Sequence, residues 1–259
     1  MTRTLQAWLR ATPPPGILTA IYAVFISLGA LVLWLPISHN DAVGFGDALF
    51  TAVSAVTVTG LVVVDTGSDF TLFGQIVIAI LIQLGGLGLM AFAVLLLSAL
   101  GVPIGLPSQM ILREEVNQTS VSDLGPLVRT IFGVALGAEL VGAALLATRF
   151  VPQEGWGPGL WDAVFHSVSA FNNAGFSTFS NSLIDYAGDP VVTLVISLMF
   201  VVSGLGFVVL SEVWRRRSWR ALSLHSKLML GGSAILIAAS FLLFTMLEWT
   251  NPDTLGGLD

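Results

Sequence analysis

Cysteine is absent from the 259-residue chain, which excludes disulfides, thiolate metal sites and thiol catalysis. Charge is nearly as scarce. Asp, Glu, Lys and Arg make up 10% of the residues, against roughly 25% in a soluble domain, and this shortage indicates a membrane protein. Basic residues offer no nucleic-acid patch: Arg215, Arg216, Arg217 and Arg220 follow an apolar span, the usual place of a juxtamembrane anchor. His39, His166, His225 and Glu139 stand at no metal-ligand spacing, and His39 and His225 fall at opposite membrane faces. A membrane-embedded enzyme, the alternative functional class, therefore lacks a nucleophile, base or metal set. Neither an enzymatic activity nor a cofactor is expected.

What is present is apolar length. Hydrophobic residues reach 55% and mean hydropathy is +0.89. A spanning helix needs about 20 mostly apolar residues. Runs at 17–35, 71–99, 129–149, 190–211 and 228–248 meet that length, whereas 45–57 and 160–171 are too short. Short apolar segments of this kind are re-entrant candidates, tolerated only when buried in protein or lining water. The run 17–35 is too long for a signal core and is followed by no small-residue cleavage site, so it reads as a retained helix.

Orientation follows from the ten basic residues. With the N-terminus in the cytoplasm, only Arg149 falls outside; Arg3, Arg10, Arg113, Arg129, Arg215, Arg216, Arg217, Arg220 and Lys227 all fall inside. Most acids take the outer face, among them Asp41, Asp65, Asp69, Glu154, Asp185 and Asp189. This acidity raises the local cation concentration, although ordinary loop solvation explains any single acid equally well. The location that follows is a membrane crossed several times, with a cytoplasmic N-terminus.

An internal repeat organises the spans. "DALFTAVSAVTVTG" (47–60) and "DAVFHSVSAFNNAG" (162–175) are identical at seven of fourteen aligned positions. Downstream, "GGLGLM" (85–90) resembles "SGLGFV" (203–208). Both copies run in the same direction, giving a parallel repeat of helix, short re-entrant helix, glycine-ended loop and helix. An ion crossing hydrocarbon must exchange its water for other oxygens, which backbone carbonyls supply in selectivity filters. Unusual torsions there favour glycine, and a short helix aims its negative dipole end at the ion. The segment 45–57 followed by Val58, Thr59 and Gly60 has this construction, as does 160–171 followed by Asn173, Ala174 and Gly175. Either loop alone also reads as a helix end with a capping glycine at C′. In register, the pair favours a filter.

The motifs "AVSAVTVTGL", "QLGGLGLMAF", "REEVNQTS" and "HSVSAFNNAGFS" followed by "SGLGF" resemble the membrane subunit of the Trk/Ktr/HKT superfamily of potassium transporters, the Ktr type most. The resemblance covers almost the whole chain. It implies an all-α membrane protein with channel-like, pseudo-fourfold architecture in which four such units each place one glycine in the filter. Potassium uptake would then pass carbonyls at Thr57, Val58, Thr59 and Gly60 and at Asn172, Asn173, Ala174 and Gly175, with no metal beyond the transported K+. It also implies a homodimer and a cytoplasmic nucleotide-binding regulatory subunit. Residues 1–16 form the cytoplasmic N-terminus, 17–100 a first pore unit, 101–128 a cytoplasmic linker and 129–213 a second pore unit. Residues 214–259 hold a basic loop and the first helix of an incomplete third unit. The expectation is a piece of a longer protein; the alternative is a half-subunit whose pore a second chain completes.

Several further residues carry expectations. Glu139 lies mid-helix, where an ionisable group is costly and marks function by default, with a buried, hydrogen-bonded structural role as the competing reading. His166 reads as packed or hydrogen-bonded. Asp47 and Asp162 are expected to cap their pore helices. Gln83 and the "GGLG" and "SGLG" clusters fit close helix packing or a bend. Trp34, Trp156, Trp161, Trp214, Trp219 and Trp249 mostly flank spans as an interfacial belt.

Overall fold

A computed structural model describes residues 14–40, 43–88 and 124–251. Among the described residues all regular structure is helical, with eight α-helices and no named strand. We number them α1 (Pro14–Leu33), α2 (Phe45–Val56), α3 (Leu72–Gly86), α4 (Leu124–Glu154), α5 (Trp156–Phe171), α6 (Pro190–Gly204), α7 (Phe207–Arg216) and α8 (Leu224–Glu248). Two compact units result, one ending at Ser203 and one beginning at Gly204.

The first unit holds both sequence repeats. In α2, small residues recur at helical spacing, and Ala48, Thr51, Ala52, Ala55 and Val56 are buried. They pack with Ala30 and Leu33 of α1 and with Ile78, Leu81 and Ile82 of α3, and the core continues into the second repeat through Phe165, Ala174 and Phe176. Asp47 lies in the first turn of α2, and its carboxylate accepts the Gly44 N–H at 3.1 Å. Thr71 caps α3 by accepting the Gly74 N–H. The connecting loops on this side are knit by backbone: Asn40 N–H donates to Asp69 O at 2.8 Å and Thr71 N–H to Ser38 O at 3.0 Å.

In the second repeat α4 buries one stripe, Phe132, Ala135, Glu139, Ala143, Leu146 and Phe150, at steps of three and four residues. Leu136, Leu140 and Val141 on its other side are exposed. Phe150 meets Phe179 edge-on at 5.3 Å and Tyr186 at 4.8 Å between ring centroids. Pro190 opens α6, where the missing N–H costs nothing. Asp189 accepts the Val191 and Val192 N–H groups and also pairs with Arg149 at 2.5 Å. The single basic residue assigned to the outer face thus has an acidic partner beside it.

Several boundaries differ from the sequence reading. The segment 190–211 is not one helix: α6 ends at Gly204, and α7 begins after Gly206, whose φ is +83°. α3 stops at Gly86, and Gly88 has φ +87°, so both copies break at corresponding glycines of "GGLG" and "SGLG". The remainder of 71–99 lies outside the described residues, as does most of the linker 101–128. α5 starts at Trp156, so Asp162 does not cap it. Asp162 sits two turns in, and its carboxylate accepts the Thr178 hydroxyl at 2.7 Å. Among the described residues, Ile131–Glu154 and Leu224–Glu248 are each long and apolar enough to cross a membrane; α6 and α7 qualify as a pair. Trp34, Trp156, Trp214, Trp219 and Trp249 are exposed. Trp161 is half-buried, and its indole N–H donates to Gln75 Oε1 at 2.6 Å.

The second unit contains α7 and α8. Glu212 accepts from Ser223 N–H at 3.0 Å, from the Ser223 and Ser226 hydroxyls, and from Arg216 Nε. Ser223 is the N-cap of α8, so this carboxylate fixes the turn from which the helix starts.

Candidate functional site

The C-terminal ends of α2 and α5 have the same backbone. After α2, Val58 N–H donates to Ala55 O at 3.2 Å and Thr59 N–H to Ser54 O at 2.9 Å. After α5, Asn173 N–H donates to Ala170 O at 3.1 Å and Ala174 N–H to Ser169 O at 2.8 Å. Each pair is the two-bond closure of a Schellman motif. Its left-handed C′ residue is Val58 (φ +49°) in one copy and Asn173 (φ +55°) in the other. The C′ residue is therefore not the glycine. Gly60 (φ +77°) and Gly175 (φ +72°) lie two residues further on, so each turn contains two left-handed positions. Asparagine tolerates that region; a β-branched valine there is an outlier.

These glycines converge. A Cβ on Gly60 would sit 2.5 Å from Ala174 O and 3.2 Å from the Gly175 Cα, and one on Gly175 would sit 3.4 Å from the Gly60 Cα. The structure thus brings Gly60, Ala174 and Gly175 together, leaving Thr57, Thr59, Asn173 and Gly175 exposed while Asn172 and Ala174 are buried. Oxygen-rich backbone held in unusual torsions, with two helix C-termini directed at it, is suited to a dehydrated cation and poorly suited to an anion.

Side chains behind the two turns differ. In the first copy the Thr57 hydroxyl donates to Val53 O at 2.8 Å and is 2.6 Å from the Thr59 hydroxyl, all within the turn. In the second copy Asn172 reaches out of the turn. Its amide N–H group donates to Gln83 Oε1 at 2.9 Å, Glu139 Oε1 at 3.2 Å and Val168 O at 2.9 Å. Gln83 donates in turn to the same Glu139 oxygen at 2.9 Å. Glu139 and Gln83 were each conspicuous in the sequence as polar groups in apolar helices. That they meet at Asn172 was hidden, because the three residues lie up to 89 positions apart.

The double glycine ending α3 allows that approach. A side chain on Gly85 would collide with Val56 O, and one on Gly86 with Asn172. "GGLG" therefore serves close packing as well as the break. The serine of "SGLG", Ser203, accepts from Asn173 Nδ2 at 2.8 Å. Ser169, which drew no attention in the sequence, donates to Phe176 O at 2.7 Å. His166 is a packed, hydrogen-bonded group: its ring nitrogens lie 2.8 Å from Asp162 O and 2.9 Å from the Ser177 hydroxyl, and it stacks on Phe179. Among the described residues no cluster of His, Asp and Glu could hold a metal ion.

Residues 10–252 match the family model described as "TrkH: Cation transport protein". The chain is 49% identical over 251 residues to "Ktr system potassium uptake protein B" of Bacillus subtilis (strain 168), covering 97% of this chain and 56% of that protein. It is 42% identical over 246 residues to the protein of the same description in Vibrio alginolyticus, with 94% and 54% coverage. To "Potassium/sodium uptake protein NtpJ" of Enterococcus hirae it is 33% identical over 237 residues, with 91% and 52% coverage. The chain spans about half the length of these relatives. With the repeated helix–turn–helix architecture and a match over most of its length, the chain belongs to the TrkH cation transport protein family.

Proposed function

We propose that this chain supplies two of the four segments of a potassium-selective pore, and that the assembled pore takes K+ into the cell across the bacterial plasma membrane. Thr57, Val58, Thr59 and Gly60 form one segment; Asn172, Asn173, Ala174 and Gly175 form the other. The observation that carries this reading is the meeting of two glycine turns of identical backbone at the ends of two pore helices. K+ exchanges hydration water for carbonyl oxygens there, aided by the negative ends of α2 and α5. The relatives' descriptions as potassium uptake proteins support the choice of ion. The protein acts as a transporter and not as an enzyme. Its N-terminus lies in the cytoplasm, in keeping with the distribution of Arg and Lys. The pore subunit dimerises and works with a cytoplasmic nucleotide-binding partner; the relatives' designation as proteins of a Ktr system supports work with further components.

Complementation tests this. Expressed from its own reading frame in cells stripped of potassium uptake, the protein should restore growth at low potassium and take up rubidium. Failure of both, with the protein present in the membrane, contradicts the proposal.

A further inference from the structure

The two filter segments share a backbone but not a support. Asn172 is the C-cap of α5 and is 5% exposed. Its side chain is held by Gln83 from α3 and by Glu139 from α4, so one amide at the end of α5 joins α3 of the first repeat to α4 of the second. Glu139 is itself buried at 6% exposure, on the packed stripe of α4. One of its oxygens accepts both amide donors, and its backbone carbonyl accepts the Ser167 hydroxyl of α5 at 2.6 Å. Two further bonds steady the turn, from Asn173 to Ser203 and from Ser169 to Phe176 O.

Among the described residues the first copy lacks these supports. Thr57 stands where Asn172 does, and its hydrogen bonds to described residues stay within its own turn. Ser54 stands where Ser169 does, and its buried hydroxyl has no partner among the described residues. α1 contains no charged residue, so that helix offers no carboxylate in the part of Glu139. The geometry points to Glu139 as a positioning residue for cation preference: through Gln83 and Asn172 it fixes the second filter segment, leaving the first as the more compliant one. A buried group hydrogen-bonded to two amides constrains them more firmly than bonds made within a solvated turn. A carbonyl ring discriminates between cations of different radius only as far as its oxygens resist moving.

This inference rests on the filter reading, and the experiment separates the two. The full protein and its Glu139→Leu, Glu139→Gln and Gln83→Leu variants are compared for K+ and Na+ uptake, normalised to protein in the membrane. Glu139→Leu removes the shared acceptor; the K+-over-Na+ preference should fall about tenfold through a raised KM for K+, as expected for losing hydrogen bonds of this class. Glu139→Gln keeps an oxygen for the two amides and should stay within about twofold of the parent. Gln83→Leu should shift the preference in the same direction by about threefold, and it decides the matter if Glu139→Leu does not reach the membrane. Equal losses of K+ and Na+ uptake with an unchanged ratio would mean that Glu139 supports folding only, which overturns the inference. No cation uptake by the unsubstituted protein would defeat the pore reading itself, and this inference with it.

Discussion

Val58 occupies the left-handed region that Asn173 occupies in the second repeat, and a valine there carries strain of about 1–2 kcal/mol. Val58→Asn should therefore raise the thermal unfolding temperature of the purified protein, an effect opposite in sign to most substitutions at a ligand site. An unchanged or lowered Tm would show that the valine is not strained. In the loop between α2 and α3, burial tends to raise the Asp65 pKa, but hydrogen bonds from Ser180, Ser68 and Gly67 outweigh it and hold the carboxyl below its ordinary value of 3.8. A carboxyl with a lowered folded pKa contributes stability above its unfolded value of about 3.9. That contribution disappears as pH falls through the lower folded value. Asp65→Asn should thus be less stable near neutrality and should flatten the loss of stability on acidification below about pH 4. Coincident acid-unfolding curves for the two proteins would contradict the assignment. At this scale the sequence was partly legible. The glycines and their partner residues could be paired by repeat alignment. The left-handed valine could not be read, because β-branched residues give no sign of adopting that conformation.

At the scale of elements, apolar length marked the place of the described α-helices but merged α6 and α7 into the single run 190–211; in the sequence, length set the short run 45–57 apart from the runs around it. Breaks were less visible. "GGLG" and "SGLG" are compatible with continuous packed helix as well as with a break, and only the positive φ of Gly88 and Gly206 decides between them. The start of α5 was misplaced because Trp156–Gly159 contains a proline and two glycines. Pro158 falls in the first turn, where a missing N–H is harmless. Glycines separate packing from propensity. Gly86→Ala should lower the yield of folded protein in size-exclusion chromatography, since the new methyl collides with Asn172. Gly137→Ala, on α4 with nothing within 4 Å of the added Cβ, should be neutral or stabilising by up to about 1 kcal/mol. Equal behaviour of the two variants would refute the close approach of α3 to the second turn.

For the whole molecule, repetition is the organising fact. The two repeats place two helix C-termini and two glycine turns side by side in the first compact unit. The sequence carried the family and the repeat, because periodic hydrophobicity and aligned motifs are local signals. It did not carry the unequal support of the two turns, which depends on Gln83, Glu139 and Asn172 meeting in space. Threonine and asparagine turns with one glycine each hold fewer constrained carbonyls than a full channel signature, so selectivity looser than that of a dedicated potassium channel is expected. The most direct measurement is the K+-over-Na+ preference of uptake by the full protein and by Gly60→Ser. A side chain at Gly60 must displace Ala174 O or the Gly175 backbone, so the substitution should reduce the preference about tenfold or more while Na+ uptake persists, an effect equivalent to about 1.4 kcal/mol. A Gly60→Ser protein with unaltered potassium affinity and unaltered preference would contradict the account, because the glycine turns could not then be the filter.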